Sequence, residues 1–130
     1  MTDDEEYDRN CVCRDLESIT KVGIDTDGEF KYILMKVKCS NKKHELPSVV
    51  IVRGYKRHNN HTDIFNEVNE ELQPLCGDEV LGGGIITHDS NSKTINIFGK
   101  SDTYGEANHA ATARLIREAY PDYKVTFNNK

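Results

Sequence analysis

The chain has 130 residues, 36% apolar and 30% charged, which is the size and balance of one globular domain. No window approaches the ~18 consecutive apolar residues of a membrane helix, and the acidic N-terminus lacks the apolar stretch of a secretory signal, so a cytoplasmic or nuclear protein without a membrane partner is expected. The net charge of −5 lies almost wholly in residues 1–10, where five acidic side chains face Arg9; the rest carries sixteen basic against seventeen acidic residues, leaving no basic footprint for nucleic acid.

Residues 1–20 read as an acidic, flexible arm and 21–130 as a single domain. Cys11, Cys13, Cys39 and Cys76 are expected to be reduced thiols, since only one close pair exists where a structural zinc site wants two. Val22 to Ile24 is a short strand closed by the turn signal Asp25-Thr26-Asp27-Gly28. From Glu29 to Lys38 the residues alternate, with Phe30, Tyr32 and Leu34 on one face and Lys31, Ile33, Met35 and Val37 on the other. Apolar residues on both faces predict a central strand. Ser40 to Pro47 is a polar loop, and Ser48 to Arg53 is a β-branched, buried strand.

Between Asn59 and Gln73 the period becomes helical, with Ile64, Phe65, Val68 and Leu72 on one side. Val80 to His88 is a strand broken by Gly82-Gly83-Gly84, and Thr94 to Phe98 is its hairpin partner. Glu106 to Tyr120 predicts a second helix, and Lys124 to Phe127 a last strand. The order β-β-β-α-β-β-α-β implies a mixed α/β fold with a sheet and two helices. Function is expected at the two strand-to-helix passages, near Asn59–Asp63 and Gly99–Glu106, because helix N-termini offer unpaired backbone N–H groups.

His61 stands at the first of these helix starts. The positive end of the helix dipole disfavours its protonation, leaving a lone pair for a base or a nucleophile. His58 lies three residues earlier, but no acidic or cysteine partner completes a metal site, and no metal or other cofactor is expected. His44, His88 and His109 read as ordinary polar or hydrogen-bonded positions, with His109 placed to support a site indirectly. Gly99-Lys100-Ser101 resembles the tail of a P-loop, yet Thr94 stands where its first glycine belongs. The triple glycine fits an anion cradle, a bulge or a tight backbone approach. Lys31 and Arg53 each need solvent or an anion, and would form an anion pocket with His61 if their strands deliver them to one edge.

Four collinear segments, DTDGEFKYILMKV, VRGYKRHNNHTDIF, LGGGIITHDSNSKTINIFGKSDTYGEANHA and YPDYKVTFNN, together resemble the small phosphohistidine phosphatase family, also called janus/ocnus. The resemblance implies a six-stranded sheet flanked by two helices. It also implies metal-independent hydrolysis of phosphohistidine, in some members phospholysine, by a monomer whose partners are phosphohistidine-containing proteins. The catalytic histidine falls on His61 and the phosphate-holding lysine on Lys31, with Arg53 in support. Thr62 follows the histidine, and Ser101, Asp102 and Thr103 form the phosphate loop. This chain departs from the pattern at Ile85, where arginine is expected, at Asn60, which replaces an aromatic residue, and at Asp102, a carboxylate in the phosphate loop. The alternatives are a non-catalytic phosphohistidine-binding protein and an interaction scaffold acting through the acidic arm.

Overall fold

The computed structural model describes residues 19–38, 48–72 and 77–128. All four cysteines, His44 and residues 1–18 of the acidic arm lie outside these segments, while Ile19 and Thr20 are joined to the domain, Ile19 at the core under α1 and Thr20 O at Arg53. The strands are β1 (Val22–Ile24), β2 (Gly28–Lys38), β3 (Ser48–Gly54), β4 (Gly77–Asp89), β5 (Thr94–Phe98) and β6 (Lys124–Phe127). The helices are α1 (His61–Leu72) and α2 (His109–Ala119). They form one six-stranded sheet in the order β1-β3-β2-β4-β5-β6, so β2 is interior, as its two-faced apolar pattern requires. Among the described residues, the expected mixed α/β fold with six strands and two helices is the observed one.

Each face of β2 feeds a separate core. Tyr32 and Leu34 pack with Val52, Ile86, Ile95 and Ile97 beneath Ala113 and Ile116 of α2. Ile33, Met35 and Val37 pack with Ile51 beneath Ile64 and Val68 of α1. Full burial of each such aliphatic side chain contributes about 1.5–3 kcal/mol. The helices therefore cover opposite faces of the sheet.

Two boundaries differ from the sequence reading for a physical reason. The second helix starts at His109 rather than at residue 106, because the preceding residues add to the sheet. Ala107 N–H donates to Gly83 O at 3.0 Å, and Glu106 bridges Gly83. The first helix starts at His61 rather than at residue 59, because Asn60 is its cap. Asn60 Oδ1 accepts the N–H of Asp63 at 2.8 Å. The β2–β4 register shifts between Leu34, opposite Gly82, and Met35, opposite Val80, so Leu81 bulges out and is 40% exposed.

β3 ends at Gly54, opposite Tyr32, which in turn faces Gly84 of β4. β5 arrives from the other end of the sheet and stops at Phe98, opposite Ile85. Both strand-to-helix passages thus begin from the same level of the sheet, around Gly83 and Gly84. β5 is too short to cover the glycines, and the segment after it does so instead.

Candidate active site

The triple glycine makes room for side chains on both faces of β4. A Cβ on Gly83 would lie 2.7 Å from His61 Cδ2, 2.9 Å from Tyr32 O and 3.1 Å from Ser101 Cβ. His61 and Ser101 therefore crowd the same bare stretch of backbone, on the α1 face. Of the three readings of the glycines, the bulge and the tight approach are both realised, and an imidazole fills the space above Gly83.

His61 is 6% exposed, and its Nε2 lies 3.0 Å from Gly84 O. A carbonyl only accepts, so Nε2 carries the proton and the neutral ring has its lone pair on Nδ1. Burial pushes the His61 pKa below its ordinary 6.5, while the bond to Gly84 O opposes this. Lys31 adds a further downward push and Asp102 a weaker upward pull. The net result is a buried, neutral imidazole near pH 7. Its position at the start of α1 places it beside the backbone N–H groups of His61 and Thr62, which have no acceptor within the helix.

The second passage supplies a loop closed on itself. Ser101 is 2% exposed, and its Oγ accepts the N–H groups of Thr103 and Tyr104 at 3.2 and 3.0 Å. Ser101 N–H donates to Gly105 O at 3.2 Å, and Gly105 N–H returns to Ser101 O at 2.9 Å. Among the described residues, the Asp102 N–H is left as the amide of this turn without an acceptor. Tyr104 stacks at a tilt on Phe65 of α1, with ring centroids 6.2 Å apart, which ties the loop to the helix that carries His61.

Lys31 lies on the α1 face, opposite Ile85 on β4. It lines a cleft of about 180 Å³ with Glu29, Lys56, His58, Asn59 and Ile85. Lys31 and Asp102 stand near enough to shift the His61 pKa in opposite directions, so a lone pair, a cation and an amide without an acceptor share one neighbourhood of the sheet. That set can position a phosphoryl group, neutralise its oxygens and present a nitrogen base or nucleophile.

The Janus/Ocnus family model matches residues 16–124. The chain is 43% identical over 118 residues to the human 14 kDa phosphohistidine phosphatase, covering 88% of this chain and 94% of that protein. It is likewise 43% identical over 116 residues to the pig protein of the same name, covering 87% and 92%. The sex-regulated protein janus-A of Drosophila pseudoobscura pseudoobscura is 36% identical over 114 residues, covering 86% and 76%. The chain belongs to the Janus/Ocnus family.

Within this Janus/Ocnus fold, His61 and Ser101 meet at Gly83, Lys31 and Asp102 lie near enough to His61 to shift its pKa, and Thr62 follows on the first turn of α1. Thr103 is exposed, with its N–H turned to Ser101 Oγ, so its amide is already occupied. Arg53 is not brought to His61. It stands in one row with Ile33 and Gly83, and Ile33 separates the two across strand spacings of about 4.8 Å. Its guanidinium runs the other way, over Gly23 of β1, donating to Thr20 O at 2.7 Å and Val52 O at 3.0 Å. Burial lowers its pKa, and each terminal nitrogen donates to one of those carbonyls.

His58 lines the Lys31 cleft, but its Nε2 is engaged 2.6 Å from Glu67 Oε1, and Arg57 holds the other carboxylate oxygen. His88 is buried between Asp25 O and the Tyr123 hydroxyl. Sequence reasoning missed Gly84 O as the partner of His61, and Lys56 on the cleft rim. Lys56 Nζ donates to Thr26 O and Asp27 O, and no motif announces it. The triple glycine was the available signal for Gly84.

Proposed function

We propose that this protein is a phosphohistidine phosphatase that hydrolyses the P–N bond without a metal, using His61 as base or nucleophile. The observation that carries the reading is the pinned imidazole, with Nε2–H on Gly84 O and the lone pair on Nδ1. The human and pig relatives, named as phosphohistidine phosphatases, support the substrate class. Lys31 and the amides of His61, Thr62 and Asp102 meet the phosphoryl oxygens, and Ser101 acts by holding its turn in shape. Arg53 contributes from a distance, by filling the sheet beside β1.

Two routes use the same lone pair. In one, Nδ1 takes a proton from water as its oxygen bonds to phosphorus. The P–N electron pair returns to a substrate ring that solvent has protonated at its other nitrogen and that leaves as neutral imidazole, and His61 then gives its proton back to solvent. In the other, Nδ1 bonds to phosphorus directly, the substrate imidazole leaves protonated, and water then hydrolyses phospho-His61. Rapid quench into alkali separates them, because phosphohistidine survives alkali and is lost in acid.

The janus-A and janus-B relatives, whose names carry no enzymatic activity, favour a second reading as a phosphohistidine-binding protein. Incubating the purified chain with a phosphohistidine peptide, with and without EDTA, distinguishes the two. Release of phosphate in both samples supports the phosphatase; tight binding with no release supports the binder. A parallel assay on phospholysine defines the substrate range.

A further inference from the structure

Gly84 is touched from both faces of the sheet. On the α1 face its carbonyl holds His61. On the α2 face, the space a Cβ would take is filled by two aromatic rings, with His109 Cε1 at 2.7 Å and Tyr32 Cε1 at 2.8 Å. His109 is 0% exposed and cannot meet a substrate, yet both of its ring nitrogens are bonded. Nε2 lies 2.8 Å from Gly99 O, and Nδ1 lies 2.6 Å from the Tyr32 hydroxyl. Since Gly99 O only accepts, Nε2 carries the proton of that bond, and Nδ1 faces the Tyr32 hydroxyl. Thr112 Oγ1 stands 3.1 Å from the same hydroxyl, and Glu106 Oε2 stands 3.5 Å from His109 Nε2.

These contacts close a circuit. Tyr32 is the β2 partner of Gly84, its side chain holds His109, and His109 presses on Gly84 and holds Gly99. Gly99 opens the segment that carries Ser101 around to the His61 side of Gly83. One buried histidine is therefore fastened to both structures that frame His61, namely the carbonyl that selects its tautomer and the root of its neighbouring loop.

We propose that His109, clamped by the Tyr32 hydroxyl, is a positioning residue for His61, fixing the Gly84 carbonyl and the origin of the Ser101 turn. The proposal rests on His61 being the reacting histidine. A merely structural role is represented by His88. It is a similarly buried histidine, bonded to a carbonyl and a tyrosine hydroxyl, four residues along β4 from Gly84.

The test uses the full chain labelled with ¹⁵N-histidine, reading the His61 tautomer from long-range ¹H–¹⁵N spectra alongside peptide hydrolysis. The wild type is expected to show a single Nε2–H tautomer at His61. In Tyr32→Phe and His109→Gln, both tautomers should appear, and kcat should fall on the order of tenfold to a hundredfold while KM changes by about twofold or less. His88→Gln should lower Tm and leave the His61 spectrum unchanged. A folded Tyr32→Phe that keeps the single His61 tautomer and the wild-type kcat overturns the proposal, and this variant decides the matter if His109→Gln does not fold. If the wild type releases no phosphate, the phosphatase reading fails, and the tautomer spectra still decide the positioning role.

Discussion

Two opposite charges near His61 give its titration a sign that kinetics can read. The reaction needs the unprotonated ring, and burial holds the pKa below 6.5, so the acid limb of kcat/KM should lie below that value. Replacing Lys31 with Ala removes a repelling cation, so the His61 pKa rises and the limb moves to higher pH. In its proposed role on the phosphate, Lys31 supplies a charge-assisted contact worth about 1.5–3 kcal/mol, so the same change should raise KM roughly tenfold or more. Asp102→Asn removes a stabilising carboxylate and should move the limb to lower pH. A limb that stays fixed in both variants would show that His61 is not the titrating base.

The glycine run of β4 is the element on which the site is built. Gly83→Ala keeps an allowed backbone but places a methyl 2.7 Å from His61 Cδ2 and 2.9 Å from Tyr32 O. The carbonyl sits in the sheet ladder and cannot yield easily, so the imidazole must move. An overpacking cost of about 1–3 kcal/mol is expected, with a loss of kcat that exceeds the loss of Tm in importance. Wild-type kinetics in Gly83→Ala would contradict the close approach. At the start of α1, Asn60→Ala removes the cap on Asp63 N–H and should cost about 0.5–2 kcal/mol by urea denaturation. The elements themselves were readable because each carries its period in its own residues. The alternation of Phe30 to Val37 and the helical spacing of Ile64 and Val68 both report burial. The bond from His61 to Gly84 O was not readable, because its acceptor is a backbone atom 23 residues away and leaves no side-chain signature. The start of α2 was misplaced for a similar reason, since Glu106 and Ala107 follow a tertiary pairing with Gly83.

At the scale of the whole molecule, the sheet order decides which candidates meet. β2 lies between β3 and β4, which places Lys31 beside the β4 glycines and leaves Arg53 on the far side of Ile33. Sequence patterns place each cation on a strand face but do not give the order of strands, so they leave open whether Lys31, Arg53 and His61 converge. Arg53 bonds toward β1, while Lys31 lies near enough to lower the His61 pKa. Arg53→Lys should accordingly lower Tm, through lost bonds to Thr20 O and Val52 O, with little change in KM. A large rise in KM at unchanged Tm would return Arg53 to the phosphate site. In the proposed mechanism the Nδ1 lone pair of His61 performs the reaction within a scaffold that survives its loss. The most direct test compares phosphate release from a phosphohistidine peptide by the wild type and by His61→Gln, both folded and both in EDTA. Release by the wild type is expected, with a fall of ~10²–10⁴-fold or more in the variant and inorganic phosphate still bound. Release by folded His61→Gln at the wild-type rate would contradict it.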